Sequence, residues 1–129
     1  MGFFYLSTEM RRRPLDSSES ARRAVDAAIE KKASDVVLLD IRELTIIADY
    51  FLICTGANPR QIAAIADSID EQLGKVGVRI THREGRPDTG WMLLDVEGDV
   101  ICHIFGPNER EFYQLERLWS AAPRLLYVE

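Results

Sequence analysis

The run Tyr50-Phe51-Leu52-Ile53-Cys54 constrains this chain more than any other stretch. It is continuously apolar, holds aromatic and β-branched residues, and is bounded by Ala48-Asp49 on one side and Thr55-Gly56 on the other. Such a run reads as a buried strand. Asn58-Pro59-Arg60-Gln61 follows with the grammar of a helix start, Asn as N-cap and Pro at the first helical position. A buried strand therefore feeds through Thr55-Gly56-Ala57 into a helix. That junction is a fold nucleus and a place where ligands often bind.

The rest of the chain falls into order around it. Residues 1–15 show no period and end in Arg11-Arg12-Arg13-Pro14, which reads as a poorly ordered tail preceding one domain over 16–129. The basic triplet is either a solvated charge run or a contact for RNA. Asp16-Ser17-Ser18-Glu19 places an N-cap with an acidic residue three positions on. Ala21, Ala24, Val25, Ala28 and Ile29 then form one face of an amphipathic helix running to about Ala33. Asp35 to Ile41 is a strand in which Asp40 must be paired or lie near the end. After Asn58, Ile62, Ile65, Ala66, Ile69 and Leu73 make a second helical stripe, stopped by Gly74 and Gly77.

Val78 to His82 alternates like a half-exposed strand, and 83–90, with two Gly and one Pro, reads as a loop. Trp91 to Val96 and Val100 to Phe105 are strands joined by Glu97-Gly98-Asp99, the clearest β-hairpin in the chain. Gly106-Pro107-Asn108 breaks the second of them. A last helix then presents Phe112, Leu115, Leu118, Trp119 and Ala122 as its buried stripe up to Pro123, and Arg124 to Glu129 can add an extended segment. The order α-β-β-α-β-β-β-α predicts a single α/β (α+β) domain on a mixed five-stranded sheet flanked by helices.

Composition bounds the function. The chain has 129 residues, 47% apolar and 29% charged, enough for one core without staples. A net charge of −5 argues against nucleic acid as the main partner, because phosphate neutralisation needs clustered Lys and Arg. The same charge suits a basic protein partner, although plain solubility explains it equally well. Cys54 and Cys102 lie in apolar runs and read as small buried hydrophobes in a reducing, cytoplasmic setting. No apolar run approaches the roughly 18 to 20 residues that span a bilayer. Met1-Gly2-Phe3-Phe4-Tyr5-Leu6 has no basic region ahead of it, which argues against a secretory signal, and Met10 is an alternative start.

Four kinds of chemistry compete with blander roles for these residues. The Thr55-Gly56 junction could cradle a phosphate at a helix N-terminus. It has neither G-x-G-x-x-G nor a Walker sequence, and one Gly before a helix is usually a turn. His82, His103, Cys54 and Cys102 have no metal-ligand spacing, and His103 and Cys102, adjacent in a strand, point to opposite faces. No cofactor or metal is expected. Asp40, Asp49, Asp95 and Asp99 could serve acid–base work, but no D-x-D or D-x-E pair lies within a strand, as metal-dependent nucleotidyl transfer would want. An interaction surface remains. Trp91, which can be core or surface, and Arg110, Tyr113 and Arg117, on one helix face at i, i+3, i+7, are the residue types that dominate interfaces.

Several blocks together resemble a known family. They are Ala48-Asp49-Tyr50-Phe51, Ile53-Cys54-Thr55-Gly56 with Gln61, Ala64-Ile65-Ala66-Asp67, Glu84-Gly85, Trp91 with Leu94-Asp95, Gly98-Asp99-Val100, His103-Ile104-Phe105, and Arg110 to Trp119. In this order, across residues 17–122, the chain resembles the Iojap-related ribosomal silencing factors. It departs from the usual pattern at Ala57-Asn58-Pro59 and at Gly106-Pro107. The resemblance implies a non-enzymatic repressor of translation with a nucleotidyltransferase-like fold lacking the catalytic carboxylates. It further implies binding to the large ribosomal subunit through its L-fourteen-type protein, which blocks subunit joining when nutrients are scarce. On that footing Trp91 and Tyr113 are apolar anchors, Asp95, Asp99 and Glu84 carboxylates facing basic ribosomal side chains, Arg110 a flanking contact, and Asp49 a further surface candidate. The rival is an enzyme acting on nucleotides or phosphate esters at the Thr55-Gly56 junction. Self-association as a homodimer, through the hairpin edge or the last helix, is a third outcome.

Overall fold

All six residues of the strand Tyr50–Thr55 (β2) are buried, as its continuous apolar run requires. It lies at the centre of a six-stranded mixed sheet in a computed structural model that describes residues 16–129. The expectations for the tail over 1–15 and for Met10 fall outside the described residues. On one side β2 pairs antiparallel with β1 (Ser34–Asp40), and on the other in parallel with β5 (Val100–Phe105). The hairpin partner β4 (Trp91–Val96) and then β3 (Ile80–Arg86) extend the sheet beyond β5. Beyond β1 lies β6 (Arg124–Val128), a strand more than the five expected, formed by the extended segment after Pro123. Asp40 ends β1 and carries a paired carboxylate, 2.7 Å from Arg42, so both conditions placed on it hold.

Two helices cover one face. Helix α1 (Ser17–Glu30) starts at a full capping box between Asp16 and Glu19. It stops before Ala33, where Lys32 turns back with φ 64°, and leaves Ile29 at the rim. Its buried alanines let α2 (Pro59–Gly74) approach closely enough for the Ser68 hydroxyl to donate to the Ala27 carbonyl at 3.0 Å. Asn58 caps α2 and Pro59 opens it. Under both lie Leu52, Cys54, Leu94, Val96, Cys102 and Ile104, the main core. Gly56 is demanded by packing, since a Cβ there would sit 2.9 Å from the Ile62 side chain and 3.0 Å from its backbone nitrogen.

The opposite face is covered only in part. Val37, Leu39, Phe51, Ile53 and Phe105 form a second, smaller core there with Ala122. Two expectations are corrected on this side. The last helix is two short ones, α3 (Pro107–Tyr113) and α4 (Leu115–Leu118), separated by Gln114 in the left-handed region at φ 48°, ψ 52°. The break rotates the intended stripe, so Phe112 is 79% and Leu118 74% exposed while Leu115 and Trp119 still pack inward. What it gains is a ring seat at each end: Tyr113 stacks on Phe105, and Trp119 meets Phe51 edge-on with centroids 4.9 Å apart. The second correction concerns 83–90. Pairing with β4 carries β3 through Gly85 to Arg86, leaving only a 3-10 turn over Pro87–Thr89.

Candidate protein-binding face

Strand alternation sorts β4 into two sets. Met92, Leu94 and Val96 are buried under the helices, whereas Trp91, Leu93 and Asp95 are half-buried on the other side. The register places Arg86, Glu84 and His82 of β3 opposite these three, and Phe105, His103 and Ile101 of β5 opposite them on the other side. Because α3 and α4 lie against the second core over β2 and β5, the part of the face centred on β4 stays accessible. Trp91, Leu93 and Ile101 give it an apolar centre, and Asp95 and Glu84 give it carboxylates.

At one end this face deepens into a recess of about 180 Å³ lined by Trp91, His103, Phe105, Tyr113 and Leu115. The Trp91 indole N–H donates to His103 Nδ1 at 3.3 Å. The imidazole stacks on Phe105, with centroids 5.9 Å apart, and meets Phe51 edge-on at 5.4 Å. Burial pushes the His103 pKa down to about 4, so the ring is neutral near pH 7. An aromatic row thus runs across the sheet from Trp119 through Phe51, His103 and Phe105 to Tyr113 and Phe112.

The structure sorts the expected contact residues. Trp91 and Tyr113, the latter 55% exposed, meet at the recess. Asp95 lies on the same face and accepts from the Gly98 N–H at 2.8 Å. Glu84 is exposed there, 2.7 Å from His82. Two candidates are not surface groups. Asp99 is buried at the hairpin turn, its carbonyl accepting from Asp49 and Tyr50 N–H groups at 2.9 and 3.1 Å. The turn folds under the start of β2, which is why it faces inward. Arg110 is largely buried too, and does not line an exposed helix face with Tyr113 and Arg117. Its guanidinium donates to both Glu116 oxygens and to Thr55 Oγ1 at 2.8 Å. Asp49 lies at the opposite end of β2 from the recess, roughly 16 Å away along the strand rise. Leu93, Ile101 and His103 were missed as contributors. In Trp91-Met92-Leu93-Leu94 every residue is apolar, and nothing in the sequence says which pair the helices leave uncovered.

The other candidate chemistries find little support in the geometry. At the Thr55-Gly56 junction the Ala57 N–H donates to Gln61 Oε1 at 2.6 Å and the Gln61 N–H to Asn58 Oδ1 at 2.9 Å. The amides that would cradle a phosphate are therefore engaged by the helix's own side chains. Among the described residues no cluster of three His, Cys, Asp or Glu could hold a metal. Burial pushes the Cys54 thiol up to about 12 and raises Cys102 as well, so neither is a nucleophile near neutrality. Among the described residues no helix is long and apolar enough to cross a membrane.

Comparison with known proteins agrees with the fold. The family described as "Ribosomal silencing factor during starvation" matches residues 14–128. Ribosomal silencing factor RsfS of Bacillus subtilis is 41% identical over 100 residues, 78% of this chain and 84% of that protein. RsfS of Halalkalibacterium halodurans is 39% identical over 109 residues, 84% of this chain and 92% of that protein. A crystal structure of a Chromobacterium violaceum protein, 33% identical, superposes with a TM-score of 0.78 over 82% of this chain and 88% of that one. A buried central strand, a mixed sheet with its two long helices on one face, and these matches over most of its length lead to one conclusion: the chain belongs to the ribosomal silencing factor family.

Proposed function

We propose that this chain is a translation regulator that docks on the large ribosomal subunit through its L-fourteen-type protein. Docked there, it occludes the surface that would meet the small subunit and represses translation when nutrients are limiting. It acts by occupying a surface, not as an enzyme, and works where ribosomes are, in the cytoplasm. The observation that carries this reading is the uncovered face of β4. Trp91, Leu93 and Ile101 form an apolar centre with Tyr113 at its edge, and the carboxylates of Asp95 and Glu84 accompany it. A basic ribosomal protein is complementary to such a face and to a net charge of −5. Desolvated aromatic anchors of this kind contribute about 2 kcal/mol or more each, and exposed rim charges much less. Asp99 and Arg110 support the surface from within. Asp49, at the far end of β2, would touch only the margin of a large contact. A homodimer formed through the same face would compete with the ribosome for it.

Sedimentation with purified large subunits tests the proposal. The protein co-sediments, and adding small subunits then yields fewer joined ribosomes. Tyr113→Ala weakens binding by roughly thirtyfold, the equivalent of about 2 kcal/mol. Glu84→Lys slows association and flattens its salt dependence. A protein that stays at the top of the gradient, or subunits that join normally at saturating protein, would overturn it.

A further inference from the structure

The floor of the recess carries a polar group that packing within the described residues does not use. His103 is 9% exposed and lines the recess together with four apolar or aromatic neighbours. An indole N–H can only donate, so the Trp91 contact fixes His103 Nδ1 as the acceptor. The neutral ring then carries its proton on Nε2. Among the described residues no hydrogen bond from Nε2 is present, so a ring that lines the recess keeps one N–H free to donate.

Size and charge narrow the occupant. Pockets for cofactors and drug-sized ligands run to roughly 300–1,000 Å³, whereas this recess measures about 180 Å³ and opens on the β4 face. It has room for one side chain of a larger partner. A donor N–H on the floor turns away an ammonium or guanidinium group. Arg86, opposite Trp91, is engaged by both oxygens of Asp88, so a carboxylate would meet repulsion from Asp95 and Glu84 on the same face.

We infer that the recess between Trp91 and Tyr113 is a specificity pocket for one uncharged apolar side chain of the basic ribosomal partner, with the partner's adjacent carbonyl or hydroxyl oxygen accepting from His103 Nε2–H. The inference rests on the docking proposed above and deepens it. Carboxylates on the β4 face attract the basic partner, and the neutral pocket sets its register. A partner with the right charge but no apolar side chain at that point would be attracted and not held.

Two measurements test it with the intact chain. His103→Phe keeps a ring of similar shape and removes the Nε2 donor together with the acceptor of Trp91, which is why the Nε2 resonance is followed separately. The variant is expected to remain folded at pH 7 while binding large subunits at least tenfold more weakly, chiefly through faster dissociation. In the unmutated protein, nitrogen-15 NMR of the imidazole should show the Nε2–H tautomer at pH 7. Adding the isolated L-fourteen-type ribosomal protein should move the Nε2 resonance and slow exchange of its proton. If the protein sediments with large subunits, but His103→Phe binds equally well or Nε2 does not respond, the pocket is overturned and the docking stands. If the unmutated protein does not sediment with them, both fall.

Discussion

Arg110 and Glu116 face each other across the break between α3 and α4, joined by two hydrogen bonds of 3.0 and 2.7 Å. The third arm of the same guanidinium reaches Thr55 at the end of β2. One side chain therefore ties two short helices to the central strand, and with them the Tyr113 ring that walls the recess. Arg110→Met is expected to destabilise the protein by about 2 kcal/mol at pH 7, because it leaves a half-buried carboxylate and a hydroxyl without their charged partner. Arg110 holds the Glu116 carboxyl below its ordinary 4.5. A folded-state pKa lowered in this way contributes stability above the unfolded value, lost as pH falls through the folded one. Urea unfolding should show Glu116→Gln less stable than the unmutated protein at pH 7, with the difference closing below pH 4.5.

His103 gives a second pH dependence at higher pH. Its pKa falls from 6.5 to about 4 through burial, so below pH 6.5 the unfolded chain takes up a proton that the folded one refuses. Stability is then complete above 6.5 and declines toward pH 4 by about 1.4 kcal/mol per pH unit. The slope should appear between pH 6.5 and 5, before carboxylates titrate, and disappear in His103→Phe. Chemical denaturation at several pH values measures both.

Two glycines with the same backbone sign should behave differently. Gly85 has φ +83°, and a Cβ there would strike the Trp91 carbonyl oxygen and come within 2.9 Å of its indole. Gly98 has φ +76° with nothing within 4 Å. Left-handed backbone alone costs an L-residue about 1–2 kcal/mol. Gly98→Ala should therefore lose about 1 kcal/mol, whereas Gly85→Ala should lose clearly more, shift Trp91 fluorescence and weaken ribosome binding. Equal losses would mean that the Gly85–Trp91 contact imposes no constraint.

What could be read from the sequence follows from which signals are local. The buried run of β2, the Asn58-Pro59 helix start and the tight hairpin are written within a few residues, and the structure contains them. Asp40 announced its need for a partner, and Arg42 supplies it two residues on. The extension of β3 through Gly85 is not local, because pairing with β4 outweighs a composition typical of loops. The same holds for the site. Trp91 and Asp95 stand out by residue type and hairpin position. Leu93, Ile101 and His103 become surface candidates only once the second face is seen to be covered in part. The burial of Arg110 depends on Thr55, far away in sequence, and on a helix break at Gln114 that neither Gly nor Pro marks.

That break makes its own prediction. A continuous helix from Pro107 to Ala122 would bury Phe112 and Leu118 beside Trp119, and removing any of the three would open a cavity. In the broken arrangement Phe112 and Leu118 lie 79% and 74% exposed, while Trp119 packs on Phe51. Phe112→Ser and Leu118→Ser should each change unfolding free energy by no more than about 0.5 kcal/mol, the usual range for exposed positions. Trp119→Ala should cost about 3 kcal/mol, as loss of a packed indole does. Urea titrations of the three variants decide between the geometries, since a continuous helix makes all three losses comparable. The two exposed side chains line a shallow groove that shares Tyr113 with the recess. Phe112→Ser and Leu118→Ser should therefore reduce affinity for large subunits while stability stays level, a separation that Trp119→Ala would not show.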